Sequence, residues 1–423
     1  MRRAILFTGL VRNPDRFNAF LDTIDALEPQ QRSGVDVLFS TWTGELNAYP
    51  EIAARLEAMK AVVLEQPPPK LILAGHVLHQ IACLDLACSL LHDDTYVLKI
   101  RSDIGHPPDI HVFLASQPEA QPDGQPLPTA LRYRVRHRGV FGAHPLYIND
   151  VTFAAMAGDL RHLAKLPYTF GLRYVRMAPE QLYWGAPFIV ENPVLDAFFR
   201  ANFGLIFHDR AQFSALRAAL TDSPLYARAL AVSAILMRDG FRYLGNDPER
   251  DKLRPLLRQY TLEAILWDPL NLPGISSHPT AFTNWFASQG AWDALLAGEY
   301  QSSPLGDRFR AALMEYDRPN ALACMRDQRS ELLSEAANLG ARIEATVRQG
   351  PLKQIRVAGN KRVIHERPAE WTMAQGDTEY VRKLEREISE YRRLNGEMTD
   401  KLRQIEVAAE AARAVPAGGG DPE

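Results

Sequence analysis

Residues 96–100 form an apolar run into which Lys99 intrudes, and the run ends in Arg101, Ser102 and Asp103. A buried strand has no use for a cation and an anion at its last turn. A carboxylate there can hold Mg²⁺ or Mn²⁺ against a diphosphate. Arg101 can bind a phosphate or fix Asp103 through a forked pair of hydrogen bonds. A plain ion pair at a strand terminus has the same spacing. Further polar groups follow two earlier apolar runs. Thr8, Gly9 and Arg12 succeed the first, where a close backbone approach and a cation suit a nucleotide, or where the chain simply turns into a helix. Ser40, Thr41 and Trp42 end the second, with an indole that could stack on a base or cap the core. His79 and Gln80 lie on the helical stretch before the strand at 96, Gln80 being the candidate for ribose or base.

Asp150 and Glu180 are the candidates for a general base that takes a proton from an attacking hydroxyl. Glu180 follows Pro179 at an expected helix start, where it would equally complement the helix dipole, and Asp150 could equally be a strand-end turn. Between residues 132 and 138 stand Arg132, Arg134, Arg136, His137 and Arg138. This run could hold an anionic ligand, or form a strand with one solvated cationic face.

The elements that must position these groups read as α/β. Strands are expected at 3–8, 35–40, 61–65 and 96–100, with helices near 17–27, 52–59 and 76–91, the alternation of a mostly parallel sheet with crossover helices. Apart from His79 and Gln80, on a helix, the candidates named on the first hundred residues fall at or near a strand's carboxyl end, where open parallel sheets bind ligands. The turn after the first strand lacks G-x-G-x-x-G, which argues against a dinucleotide oxidoreductase. Residues 104–130 read as a surface loop, residues 190–345 as mainly helical, and 352–365 as strand-like.

With 48 Lys and Arg against 51 Asp and Glu, the chain of 423 residues carries a net charge of -3 and no global field for nucleic acid. Cys83, Cys88 and Cys324 form no C-x-x-C pair, so neither a disulfide framework nor structural zinc is expected, and a reducing, cytoplasmic setting fits. The apolar stretch at 4–10 is too short for a signal peptide and nowhere is there a membrane-spanning run, so membrane contact is at most peripheral, at the inner membrane.

Leu38, Phe39, Ser40, Thr41 and Trp42, then His79, Gln80 and Ile81, then residues 96–103, then Tyr147, Ile148, Asn149 and Asp150 occur in this order. Together they resemble the WavE lipopolysaccharide-synthesis family over roughly residues 3–200. The resemblance implies a GT-A (Rossmann-like) glycosyltransferase domain, a nucleotide-sugar donor, a glycan or lipid-linked glycan acceptor, and a role in lipopolysaccharide or capsule assembly. Arg101, Ser102 and Asp103 then take the place of the Asp-x-Asp motif, with Arg101 where the first acid would be, so a metal site rests on Asp103 alone. Mn²⁺ or Mg²⁺ is expected for a diphosphate donor and no metal for a CMP-sugar. Glu180 resembles the position from which such enzymes supply a base; a retaining enzyme would need none. The missing acid keeps open a second reading, a catalytically degenerate nucleotide-sugar-binding or scaffold protein of a polysaccharide-assembly complex.

The expected organisation is a transferase domain at 1–265, a helical extension at 266–350, a short strand-containing linker at 351–372, a coiled-coil helix at 377–413 and a disordered tail at 414–423. The coiled coil follows from Leu384, Ile388, Tyr391, Asn395, Met398, Leu402 and Ile405, spaced 3 and 4 apart, with Asn395 at an a position favouring a parallel homodimer over a helix packed on its own domain. Deleting residues 377–423 is expected to leave a folded monomer by light scattering; a truncated chain that stays dimeric would contradict this.

Overall fold

The computed structural model describes residues 1–69, 77–127, 129–140, 142–164, 179–189, 191–201, 210–244, 253–267 and 289–349, and the short pairs 354–355 and 364–365. The coiled-coil and tail segments expected from the sequence lie outside these residues.

Seven strands make the central sheet: β1 (Arg2–Thr8), β2 (Val35–Trp42), β3 (Val62–Gln66), β4 (Thr95–Arg101), β5 (Val135–His137), β6 (Thr152–Met156) and β7 (Phe241–Tyr243). Their spatial order is β3-β2-β1-β4-β6-β5-β7. The first four strands, expected from the sequence, pair in parallel. β6 is antiparallel to both β4 and β5, and β7 runs parallel to β5, so among the described strands of this sheet β6 alone is reversed. In the strand-like stretch at 352–365, Gln354–Ile355 and Ile364–His365 pair as a separate antiparallel ladder.

β1 and β4 are near-continuous apolar runs because both faces of the sheet are covered. Alternation sends Ile5, Phe7, Tyr96, Leu98 and Ile100 to one face, against Phe17, Phe20, Leu21 and Ile24 of the helix Pro14–Asp25 and Ile52 and Leu56 of Pro50–Ala58. It sends Ala4, Leu6 and Val97 to the other, against Val77–Leu90, Ala157–Ala164 and Pro179–Ile189. Lys99 and Arg101 share the parity of Val97 and project to this second face. The helices Pro193–Ala201, Pro224–Gly240, Pro304–Tyr316 and Arg329–Gln349 extend the same buried cluster.

Proline and a capping side chain start several helices where the sequence marks them. Asn13 accepts from the Arg16 N–H ahead of Pro14, Ser223 from Tyr226 and Ser303 from Gly306. No helix among the described residues is long and apolar enough to cross a membrane.

Strand order reverses between β1 and β4: β1 leads leftward to β2 and β3, and the chain then returns to β4 on the other side. The carboxyl ends of these two strands therefore flank the crevice in which open α/β sheets bind ligands. Directly after β4, Gly105 turns the chain under the crevice, its N–H bonded to the Arg101 carbonyl at 3.0 Å. A Cβ at Gly105 would lie 2.2 Å from Ile100 Cγ2 and 2.9 Å from both the Arg101 carbonyl oxygen and Phe20 Cζ. Gly105→Ala is thus expected to destabilise the fold by at least about 1–3 kcal/mol, seen as a lower midpoint in urea unfolding; an unchanged midpoint would mean the turn can open at no cost.

Candidate active site

The β1–β4 crevice is built on a lateral row. In register, Leu64, Ser40, Thr8 and Arg101 align across β3, β2, β1 and β4. Beyond Thr8 the chain turns at Gly9, whose φ of +99° suits glycine. The turn is held from both sides. The Gly9 N–H donates to the Ser40 carbonyl and the Thr41 hydroxyl to the Gly9 carbonyl, while Ser102 donates its N–H to the Thr8 carbonyl and its hydroxyl to the Thr8 and Leu10 carbonyls. Glu45, unmarked in the sequence, accepts from the Val11 N–H at 2.7 Å. Thr8, Ser40 and Thr41 are buried, so they shape this loop.

Arg12 and Arg101 converge on Asp103. Arg101 Nε and Nη2 each stand 3.1 Å from one Asp103 oxygen, the forked geometry of a guanidinium–carboxylate pair. Arg12 Nη1 lies 3.6 Å from Asp103 Oδ2, its side chain 57% exposed against 11% for Asp103. On its other side Arg101 Nη1 lies 3.9 Å from Asp150 Oδ1. Burial pulls the Arg101 pKa down, but the charges of Asp150 and Asp103 and the bonds to Asp103 raise it overall.

The segment carrying Asp150 is pinned by distant helices. Tyr226 donates to the Ala143 carbonyl, Ser233 accepts from the Leu146 N–H, and Gln181, one residue past Glu180, donates to the Pro145 carbonyl. Asn149 accepts from the Val151 N–H at 2.7 Å, closing the turn into β6. Lys99 is fully buried; its ammonium donates to the Asp150 carbonyl and lies over the rings of Phe153 and Tyr183 at 5.3 and 5.9 Å. Desolvation brings its pKa down to about 8 despite the pull of Asp150. Lys99 is therefore a support beneath the site and is not accessible to a ligand.

Asp150 and Glu180 come together across this junction. Asp150 is 2% exposed with Oδ2 unpartnered, and Glu180 keeps Oε2 unpartnered while Tyr147 donates to its carboxyl. Burial first, and then the charge of Asp150, push the Glu180 pKa up to about 7. A carboxyl that exchanges its proton near neutrality suits general-base work.

Three other candidates find different settings. Trp42 is 9% exposed and meets His79 edge-on at 5.3 Å, which is core packing. Gln80 keeps a buried Oε1 without a hydrogen-bond partner. Nearby, burial pushes the Cys83 thiol up to about 11, against hydrogen bonds with Ser40, Gly9 and Gln66, the last at the end of β3. The basic run at 132–138 is not a cationic face. Arg134 bonds Glu119 and the Asp239 carbonyl, Arg136 the Gln117 carbonyl, and Arg138 pairs with Asp109 at 3.1 Å and the Leu244 carbonyl. Arg132 alone of the four is exposed.

A divalent cation fits poorly here. Both Asp103 oxygens already accept from a guanidinium, and among the described residues no three His, Cys, Asp or Glu side chains gather as a metal cage. A cavity of about 660 Å³ lined by Asp25, Arg32, Val35, Arg55 and Val62 opens at the opposite, amino ends of β2 and β3. Arg55 there is already bound by Asp22 and Asp25, and no candidate residue reaches it.

No protein-family model and no curated protein matches the chain, so the WavE resemblance rests on the quoted motifs. Among solved structures it is similar to the mannosyltransferase PcManGT from Pyrobaculum calidifontis in complex with GDP-Man and Mn²⁺, at 13% identity over 81% of this chain and 88% of that one, with a TM-score of 0.30. It is also similar to S. aureus TarS 1-349, at 12% identity over 88% and 98% of the two chains, with a TM-score of 0.28. At these scores no residue correspondence is drawn from either; the α/β assignment stands on the sheet itself.

Glu180 gives a stability signature independent of any substrate. Its folded pKa lies above its ordinary value of 4.5. Between those two values the folded state binds more protons, so stability falls as pH rises through the window and the full cost is reached above about pH 7. Glu180→Gln is expected to stabilise the protein by roughly 2–3 kcal/mol at pH 8 and by less than about 1 kcal/mol at pH 5. Denaturant unfolding at the two pH values checks this, and equal effects would mean the carboxyl is not held protonated.

Proposed function

We propose that this chain is a nucleotide-sugar-dependent glycosyltransferase of GT-A type that acts in bacterial surface polysaccharide synthesis. The observation that carries this reading is the juxtaposition of two unlike groups at one switch point of the sheet. Arg12 and Arg101 supply cationic charge suited to donor phosphates, and Asp150 with Glu180 supplies a buried carboxyl pair with unpartnered oxygens. The motifs resembling the WavE family support the polysaccharide setting, with a glycan or lipid-linked glycan as acceptor. The donor would lie across Gly9 and the carboxyl ends of β1 and β4, with Gln80 the candidate for its ribose or base.

In this mechanism the acceptor hydroxyl attacks the anomeric carbon as its bond to the phosphate oxygen breaks. The nucleotide leaves with the bonding electron pair, the hydroxyl proton passes to Glu180, and configuration inverts. A base with a pKa of about 7 is half ionised at neutrality and still able to accept a proton. Asp150 keeps Glu180 from ionising at lower pH and orients the acceptor. Arg12 and Arg101 offset charge developing on the leaving phosphates. Were the carboxyl pair to serve binding only, the chain would be the degenerate scaffold that the absent first acid of Asp-x-Asp allows.

Purified protein incubated with UDP-, GDP-, dTDP- and CMP-sugars is expected to transfer or hydrolyse one of them. Its kcat should rise with pH through about 7, following ionisation of Glu180. Glu180→Gln should lower kcat by about 10²–10⁴ with little change in KM. Asp103→Ala should be inactive with its circular dichroism intact. Equal activity in wild type and both variants would overturn the site assignment, and nucleotide binding without turnover would favour the scaffold.

A further inference from the structure

Resting on the reading of the β1–β4 crevice as a nucleotide-sugar site, we propose that the Arg101 guanidinium is the cation that organises its carboxylates and, with Arg12, holds the donor phosphates, so that nucleotide binding needs no divalent metal. The first support is geometric. Arg101 stands between two acidic groups, forked onto Asp103 at 3.1 Å and 3.1 Å on one edge and 3.9 Å from Asp150 on the other. A metal bridging protein to diphosphate would have to take Asp103 from this fork, and hard divalent ions demand several well-placed oxygens.

The second support is charge. Lys99, Arg101 and Arg12 bring three cations to a site whose acids are Asp103, Asp150 and Glu180, so no surplus of negative charge remains to attract a divalent ion. The third is donor capacity. A guanidinium has five N–H groups; two of those on Arg101 serve Asp103, which leaves three, and its side chain is 25% exposed. Arg12 at 3.6 Å from Asp103 is beyond a good hydrogen bond and can swing to a phosphate without breaking one. Lysine could not substitute for Arg101, since a point ammonium cannot fork onto Asp103 and still face a second ligand.

Calorimetric titration of the full chain with UDP, GDP, dTDP and CMP, in EDTA and again in Mn²⁺, tests this, with electron paramagnetic resonance counting protein-bound Mn²⁺. At least one nucleotide is expected to bind in EDTA, with a Kd changing by less than about threefold when Mn²⁺ is added, and no Mn²⁺ should be retained by the wild type. Arg101→Gln should weaken binding in EDTA by about tenfold or more, with Mn²⁺ recovering part of the loss because Asp103 is then free. Arg101→Lys should stay weakened. If the Arg101 variants fail to fold, Arg12→Gln, at an exposed position, should still weaken binding in EDTA severalfold, and unchanged affinity there would overturn the proposal. Wild-type binding that appears only with Mn²⁺ would overturn the inference and leave the nucleotide site standing. Binding of no nucleotide in either buffer would remove both.

Discussion

The Lys99 ammonium, enclosed between Phe153, Tyr183 and the Asp150 carbonyl, is the joint at which the parallel half of the sheet meets the reversed β6. Its enclosure follows from strand alternation, because a side chain of the same parity as Val97 must enter the helix-covered face. Holding that charge dry costs on the order of 3 kcal/mol, judged from a pKa drawn down to about 8. The cost has a direction opposite to that of Glu180. Above about pH 8 the unfolded chain binds the extra proton, so Lys99 ceases to oppose folding as pH rises, whereas Glu180 begins to oppose it as pH rises toward 7. The two penalties coincide between pH 7 and 8, so two residues that hold the site together both oppose the fold there.

The candidate site has two sources. Its cations come from β1 and β4, whose ends are adjacent because those strands pair in register from Arg2 with Thr95 to Thr8 with Arg101. Its carboxyl pair comes from beyond the reversal, at the entry to β6 and the start of the helix Pro179–Ile189. A reversed strand beside β4 brings its amino end to the carboxyl end of β4. That is how Asp150, about fifty residues later in the chain, arrives next to Arg101.

Much of this was legible in the residues. Four apolar runs marked β1 to β4 to within two residues; β1, β2 and β4 are buried on both faces and need no partner information to be recognised, while β3 is a more exposed strand marked by Val62, Val63 and Leu64. The fork between Arg101 and Asp103 was likewise readable, being local. What could not be read was pairing at a distance. Strand direction leaves no trace in an apolar run, so the reversal of β6 was silent. The basic run at 132–138 looked like a cationic face because its partners, Glu119, Asp109 and the Asp239 and Leu244 carbonyls, come from other parts of the chain. The Asp150 segment depends on Tyr226 and Ser233, and the Arg12 loop on Glu45, none of which carries a motif. Trp42 illustrates the same limit, an indole at a strand end that turned inward on His79.

The pairing of β5 with β7, Val135 against Phe241 and His137 against Tyr243, closes a loop of about a hundred residues that includes the helix Pro224–Gly240. Loop closure of this length is entropically unfavourable and slow compared with the neighbouring β1–β2 and β2–β3 contacts. During synthesis the amino-terminal strands can therefore assemble while β5 still presents an unpaired edge. The helix that pins the Asp150 segment directly precedes the strand that completes the sheet, so neither the sheet nor the site can be finished until the chain as far as β7 has emerged.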